Sequence, residues 1–504
     1  MKYERASGIL LHPTSLPGPY GIGDIGPQAH SWLEFLASSG CGLWQILPLG
    51  PTGYGDSPYQ CFSAFAGNAY IISPEAMVED GLLNASDLDD LPDFSEDQVD
   101  FGQVISWKLG ILDRAFSHFE RTASPAIRRD HAIFHDKHKD WLEDFALFMA
   151  LKEAHGGASW TVWEPPLREK QSEALAVARR KSGDAIRRQA FRQFIFFRQW
   201  DALHAHANQL GIKIIGDIPI FVAHDSSDVW SNPDLFYLDD NGNPTVVAGV
   251  PPDYFSPTGQ RWGNPLYRWR VHKADGYKWW LKRIHATLDM VDIVRLDHFR
   301  GFAAYWEVPG KAKTAEKGRW VRAPGKHFFQ ALQDDLGTLP VIAEDLGVIT
   351  PDVEALRERF SLPGMKILQF SFAGNPKDPF LPHNYPENCV VYTGTHDNDT
   401  ARGWYERVPE GERDFYRRYI DRSGENIAWD LIRACWSSVA VLALAPMQDF
   451  LNLGNEARMN YPGNPSGNWT WRMPAGVLNE ELQERIKEIN YLYGRQLKDS
   501  DRES

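Results

Sequence analysis

The chain has 504 residues, of which 67 are acidic and 53 basic, and its formal net charge is −14. This length can bury a large core, and the acidic balance argues against a general grip on nucleic-acid phosphates. The four cysteines are far apart in the sequence and form no Cys-x-x-Cys pair, so neither a zinc site nor a disulfide framework is indicated.

The N-terminal segment MKYERASGILLHPTSL has only a short apolar run before His12 and Pro13, unlike the core of a signal peptide. No stretch approaches the roughly 18 consecutive apolar residues of a membrane helix. The sequence therefore predicts a cytoplasmic protein with no membrane partner.

Short apolar runs recur between amphipathic segments along the chain. Eight of them lie at 8–13, 43–49, 212–221, 291–299, 340–346, 365–372, 389–397 and 438–449. Because a parallel strand that is buried on both faces is apolar throughout, eight such runs alternating with helices indicate a (β/α)8 TIM barrel. Helices are predicted at 275–290, 351–360, 425–436 and 479–498, and the first two open with Asp or Pro.

Two connections between the predicted strands are too long to be ordinary loops. The charged segment 75–188 is predicted to be a mainly helical insertion after the second strand. Residues 222–274, rich in Asp, Asn, Pro, Gly and Trp, are predicted to form a lobe and a loop over the barrel mouth after the third strand. We expect residues 1–504 to be a single catalytic barrel domain that carries these insertions.

Three of the apolar runs end in an acid, namely Asp297, Glu344 and Asp397. Catalytic residues of such barrels come from the carboxyl ends of different strands, so these acids are expected to converge. Cleavage of a glycosidic bond needs one carboxylate as nucleophile and one carboxylic acid to protonate the leaving oxygen. A third acid can hold the distorted sugar ring.

The neighbours of these acids suit the same chemistry. Arg295 lies two residues before Asp297, so both side chains point to one side of the strand, and the guanidinium should keep Asp297 ionised. Glu344 follows the apolar sequence PVIA, a setting that can raise the pKa of a carboxyl group toward that of a general acid. His396 could donate to a sugar hydroxyl.

Other interpretations of single motifs are weaker. GIGDIG at 21–26 matches a dinucleotide-binding pattern but lacks the required turn between a strand and a helix. His131, His135 and His138 have helical spacing, but surface histidines fit better than a metal site. The three acids could also be buried polar groups that only complete the barrel core.

The strings VRLDHFRG, IAEDLG and GTHDNDT resemble the conserved blocks of the 4-α-glucanotransferases of glycoside hydrolase family 77, the amylomaltases. Further similar blocks are HPTSLPGPYGIGDIG, GPTGYGDSPYQ, GVPPDYFSPTGQRWGNPLY and NYPGN, and the resemblance runs from about residue 8 to 490. Leu296 stands where the family often has Ile. The resemblance also implies that a separate C-terminal β-domain is absent.

The resemblance assigns a role to each matching residue. Asp297 is implied as the nucleophile, Glu344 as the acid/base, and Asp397 as the acid that binds hydroxyls of the distorted ring. The implied substrate-binding residues are Tyr59, Asp217, Arg295 and His396 on the donor side, and Asp253 and Trp262 on the acceptor side.

The implied activity is transfer of α-1,4-glucan segments between maltodextrins by a retaining double displacement through a covalent glycosyl-Asp intermediate. The expected partners are maltodextrins and starch or glycogen-type glucans, without nucleic acid, metal or organic cofactor. An α-1,4-glucan hydrolase of the α-amylase kind uses the same acids and remains the alternative. A non-catalytic glycan-binding protein and a dehydrogenase are the other classes considered.

Overall fold

Twelve β-strands lie within the residues that the computed structural model describes, which are 3–252, 256–464 and 466–497. They are β1 Ala6–Leu10, β2 Leu43–Gln45, β3 Lys213–Pro219, β4 Val246–Val250, β5 Gln260–Pro265, β6 Ile293–Asp297, β7 Ala304–Pro309, β8 Arg319–Arg322, β9 Val341–Ala343, β10 Gly364–Ile367, β11 Cys389–Tyr392 and β12 Leu442–Pro446.

Seventeen α-helices lie in the same part of the chain. They are α1 Pro27–Ser38, α2 Pro74–Glu79, α3 Phe101–Thr122, α4 Pro125–Ala154, α5 Pro165–Arg168, α6 Ser172–Lys181, α7 Gly183–Gln209, α8 Ser227–Ser231, α9 Trp269–Ala274, α10 Lys278–Leu288, α11 Gly325–Leu336, α12 Pro351–Arg359, α13 Ala401–Arg407, α14 Glu410–Ile420, α15 Ile427–Ser437, α16 Met447–Phe450 and α17 Glu480–Leu492. None of the described helices is long and apolar enough to cross a membrane.

Eight parallel strands close into a barrel in the order β1-β12-β11-β10-β9-β6-β3-β2. Each overlaps one of the eight apolar runs, so the predicted (β/α)8 barrel is confirmed. Successive side chains of a strand point to opposite faces. One set of alternate residues therefore packs into a cluster formed mainly by side chains of the barrel strands, including Ile215, Ile293 and Ile342. The other set, including Ile214 and Val294, joins the larger core beneath the helices.

The contact between β1 and β2 depends on a glycine. A Cβ atom added to Gly8 would lie 2.2 Å from the carbonyl oxygen of Leu43, far inside van der Waals contact. The strands can therefore reach their parallel pairing only with a bare backbone at this position.

Helices α2 to α7 occupy the long connection between β2 and β3. The long helices α4 and α7 pack through aromatic rings, with Phe134 and Phe197 centroids 5.5 Å apart. His138 stacks on Phe197 and His131 lies 5.0 Å from Phe119. Burial lowers the pKa of both histidines to about 4, so they act as neutral packing groups rather than exposed cations.

A second, antiparallel sheet with the order β5-β4-β7-β8 lies beside the barrel. Its first half belongs to the predicted lobe after β3, whereas β7 and β8 follow β6 and were not predicted. The hairpin they form is half exposed and carries Arg319, Trp320 and Arg322 on one strand. No continuous apolar run therefore marks it in the sequence.

Candidate active site

The carboxyl ends of β3, β6, β9 and β11 bring the predicted acids together. Asp297 is the last residue of β6, Glu344 follows β9 directly, and Asp397 lies in the loop after β11. Register places Asp217 of β3 opposite Arg295 of β6. The sequence order of these residues is dispersed, but the closed barrel collects them at one end.

Arg295 links three predicted site residues. Its Nη2 atom lies 3.0 Å from Oδ1 of Asp297, and its Nη1 atom lies 2.5 Å from Oδ2 of Asp217. The Tyr59 hydroxyl donates to the same Asp217 oxygen over 2.8 Å. Since the Arg295 side chain is buried, these contacts fix the guanidinium and through it the orientation of the Asp297 carboxylate.

Glu344 is held by backbone donors. The N–H of His298 donates to Oε2 over 2.7 Å, and the N–H of Leu346 donates to Oε1 over 2.9 Å. His298 directly follows Asp297 and has a left-handed backbone with φ 54°. This turn lets the chain that carries Asp297 also hold Glu344, so the two carboxyl groups share one rigid frame.

The two carboxyl groups are electrostatically linked. Burial raises the pKa of Glu344 well above its usual value, and the charge of Asp297 raises it further. Burial also raises the pKa of Asp297 to about 7, against the opposing effect of Arg295. Because Arg295 contacts Asp297, Asp297 is the first of the pair to ionise as the pH rises, and we assign the remaining proton to Glu344.

Asp397 projects from a loop, and about half of its side chain is exposed. Asn460 Nδ2 donates to its Oδ1 over 2.7 Å. His396 Nε2 lies 3.5 Å from the same oxygen, but burial lowers the pKa of His396, so the ring is neutral there. His396 stacks on Tyr59 with ring centroids 5.2 Å apart, and Trp469 lies beside both rings.

A cleft of about 350 Å³ joins these groups. Its walls include carboxylates, amides and aromatic rings, contributed by Tyr59, Gln260, Trp262, Asp297, His396, Asp397, Asn460 and Trp469. Trp262 meets the ring of His298 edge-on, with centroids 4.8 Å apart. Flat rings and carboxylates in one open cleft can bind the faces and hydroxyls of a sugar chain.

Eight of the nine predicted site residues lie in or beside this cleft, and the ninth, Asp253, lies outside the described residues. Neither His298 nor Asn460 was predicted as a site residue, although both touch a predicted acid. His298 stands next to Asp297, and Asn460 opens the string NYPGN, so both were close to signals already noted.

The chain is similar to known proteins along nearly its whole length. A family model described as 4-alpha-glucanotransferase matches residues 11–479. A 4-alpha-glucanotransferase of Thermus thermophilus is 54% identical over 495 residues, which cover 97% of this chain and 98% of that protein. One from Synechocystis sp. is 51% identical over 502 residues, covering 99% of each.

Solved structures show the same similarity. An amylomaltase from Streptococcus agalactiae in complex with acarbose superposes with a TM-score of 0.95 at 39% identity, covering 98% of this chain and 100% of that chain. An amylomaltase from Corynebacterium glutamicum has a TM-score of 0.79 at 20% identity, covering 99% of this chain and 75% of that one, and shares the fold.

Proposed function

The chain belongs to the 4-alpha-glucanotransferase family, and from this premise we propose that it transfers α-1,4-glucan segments between maltodextrins through a covalent intermediate on Asp297. The observation that carries the mechanism is the hydrogen bond from the His298 N–H to Glu344. This bond joins the residue after β6 to the residue after β9, so it fixes the position of the Glu344 carboxyl group relative to that of Asp297.

In the first displacement, a carboxylate oxygen of Asp297 attacks the anomeric carbon of the donor glucan, and the bond from that carbon to the leaving oxygen breaks. Glu344 gives its proton to the leaving oxygen, which departs as the 4-hydroxyl of the released glucan. The raised pKa of Glu344 supplies the acid, and the contact with Arg295 supports the ionised nucleophile.

In the second displacement, the ionised Glu344 removes the proton from the 4-hydroxyl of an acceptor glucan. That oxygen attacks the anomeric carbon and displaces Asp297, so the α configuration is restored after two inversions. Water competes for the same intermediate. Transfer therefore depends on an acceptor chain that binds well and on walls that exclude water.

The residues around the acids suit the donor and acceptor roles. We assign Tyr59, Asp217, Arg295, His396 and Asp397 to the ring bound next to Asp297. Trp262 is assigned to the acceptor side from the resemblance, and it lines the cleft beside His298. Asp253 is assigned to the same side from the resemblance alone.

The substrate class is proposed as maltodextrins and starch or glycogen-type glucans, supported by the names of the relatives and by the acarbose complex of the Streptococcus agalactiae protein. We also propose that residues 1–504 form one catalytic barrel domain, with 75–188 and 222–274 as insertions. The second insertion contributes Gln260, Trp262 and Asn264 to the wall of the cleft.

Incubation with maltotriose alone tests the transfer. Transfer predicts glucose together with maltodextrins longer than maltotriose, and a constant number of reducing ends. An α-amylase-like hydrolase, the alternative, would instead give only shorter sugars and a steady rise in reducing ends. That outcome would overturn the proposed transfer while leaving the site intact.

The covalent step is tested separately with Glu344→Gln and α-maltotriosyl fluoride. Fluoride can leave without a proton, so the first displacement still occurs in this variant. Glutamine cannot act as the base of the second displacement, so the glycosyl ester on Asp297 should accumulate. Mass spectrometry should find three hexose units on the peptide that contains Asp297. The matched variant Glu344→Gln/Asp297→Asn should carry no label, and a label there would contradict the assignment.

A further inference from the structure

Asp397 differs from the other two acids in what holds it. Asp297 ends a barrel strand and Glu344 is fixed by two backbone N–H groups, whereas Asp397 lies in a loop and is about half exposed. If Asp397 grips the distorted ring, as the proposed function requires, its backbone must be held in place by groups outside the barrel strands.

Arg458 supplies such a connection from another loop. Its Nη2 atom donates to the backbone carbonyl of Asp397 over 2.7 Å. Its Nε atom donates to the backbone carbonyl of Asn460, also over 2.7 Å. One guanidinium thus joins the backbone that carries Asp397 to the backbone that carries Asn460.

The contact between the two loops also orients the Asp397 carboxylate. Asn460 Nδ2 donates to Asp397 Oδ1 over 2.7 Å, so Arg458, Asn460 and Asp397 form a closed ring of three hydrogen bonds. The guanidinium also lies over the ring of Tyr461, 4.5 Å from its centroid. Stacking of this kind restricts the side chain and directs its donors at the two carbonyls.

A second contact between the two loops makes the frame stiff. Asn455 Nδ2 donates to Asp399 Oδ2 over 2.8 Å. The Tyr461 hydroxyl donates to Asn455 Oδ1 over 2.8 Å, so the ring beneath Arg458 also supports this contact. Together with the bonds from Arg458 and Asn460 to Asp397, this contact opposes sliding of one loop past the other.

We propose that Arg458 is a positioning residue that holds Asp397 and Asn460 in register for the ring bound at the nucleophile. This inference rests on the proposed role of Asp397. Arginine suits the position because its donors have fixed directions in one plane, whereas a lysine ammonium is a single point donor on a flexible chain.

Arg458→Met tests this role with maltotriose as donor and acceptor. A displacement of about 1 Å at a reacting group can cost on the order of 100-fold in rate. We therefore expect kcat/KM for transfer to fall roughly 10- to 100-fold. Arg485→Met is the matched control. Arg485 lies on helix α17 and its guanidinium also covers an aromatic ring, that of Trp429. The Arg485→Met variant should retain full activity.

A double-mutant cycle separates positioning from general support of the fold. If Arg458 acts through Asp397, then Arg458→Met should cost little in an Asp397→Asn background, because the group it positions is already lost. Equal losses in both backgrounds would overturn the inference. Thermal unfolding of each variant is measured alongside, and Arg458→Lys replaces Arg458→Met in the same cycle if the methionine variant does not fold.

The cycle also distinguishes this inference from the proposed function. Full transfer by Asp397→Asn would contradict the role of Asp397, on which the inference depends. A large loss of kcat/KM in Asp397→Asn together with a fully active Arg458→Met would instead leave the proposed function standing and remove Arg458 from it.

Discussion

The chemistry of the site depends on how a few side chains share charge in a buried space. Arg295 contacts both Asp217 and Asp297, and the Tyr59 hydroxyl donates to the same Asp217 oxygen that Arg295 contacts. One cation is thus distributed over two carboxylates. The guanidinium offsets part of the negative charge of the site and leaves Asp297 available to the cleft.

The pH dependence of kcat/KM should follow the linked carboxyl pair. Asp297 must be ionised to attack, and burial raises its pKa to about 7, so activity should fall as the pH drops through about 7. Glu344 must be protonated, and its raised pKa places the loss of activity at high pH. Initial rates with maltotriose across a pH series check this.

An acid limb centred near pH 4 would contradict the raised pKa of Asp297. The folded state must be monitored across the same pH series by circular dichroism, since acid unfolding also removes activity. The two midpoints describe the pair as a unit rather than either residue alone.

Tyr59→Phe isolates the hydroxyl from the stacking ring. The variant keeps the ring beside His396 but leaves Asp217 Oδ2 without its tyrosine donor. A hydrogen bond to a charged group contributes about 1.5–3 kcal/mol, so kcat/KM for maltotriose transfer should fall roughly 10- to 150-fold. Tyr405→Phe is the control: the Tyr405 hydroxyl donates to the Ser423 carbonyl and accepts from Arg417, none of which lines the cleft, so this variant should retain normal rates.

At the level of elements, the barrel was predictable because burial on both faces leaves a continuous apolar run. All eight barrel strands overlap such runs, and α12 begins at Pro351 as its sequence indicates. The hairpin β7–β8 was missed because charged and exposed residues interrupt its pattern. Sequence shows where a strand is buried more readily than where an exposed strand pairs.

The acids at the ends of barrel strands were likewise predictable, but the residues that hold Asp397 in place were not. Asp297 and Glu344 follow apolar runs, which is a local signal. Asn460 reaches Asp397 across 63 positions, and Arg458 reaches the same residue across 61. Contacts between two loops leave no periodic pattern, and only the resemblance of NYPGN to a family block pointed toward them.

Strand β5 and its loop carry the proposed acceptor side, and Trp262 is the residue that tests it. Trp262→Ala should weaken transfer more than cleavage, since the acceptor loses a stacking ring while the first displacement keeps its groups. One ring contributes about 1–2 kcal/mol, or roughly five- to thirty-fold in transfer. The ratio of free reducing ends to transfer events, measured with maltotriose, should rise.

Trp320→Ala is the control for that variant. Trp320 belongs to the same sheet and is 41% exposed, but it packs on Trp306 and Arg300 and does not line the cleft. Its loss should leave the ratio unchanged. If Trp262→Ala reduced transfer and cleavage equally with its fold intact, the ring would serve the donor side.

For the whole molecule, net charge and site chemistry agree with a neutral polymeric substrate. The chain carries a net charge of −14, yet the cleft pairs its acids with a buried arginine, amides and aromatic rings. Sugar hydroxyls can donate to carboxylates and accept from amides without a compensating charge. The net negative charge, meanwhile, disfavours binding of polyanions.

The proposed reaction uses two carboxyl groups and sugar hydroxyls, and each proton that moves has a named donor and acceptor. We therefore expect that prolonged dialysis against EDTA leaves both the transfer rate and the unfolding temperature unchanged. Enzyme dialysed without chelator is the control. Loss of turnover that calcium or another divalent cation restored, with the fold intact, would show that the two carboxyl groups do not suffice.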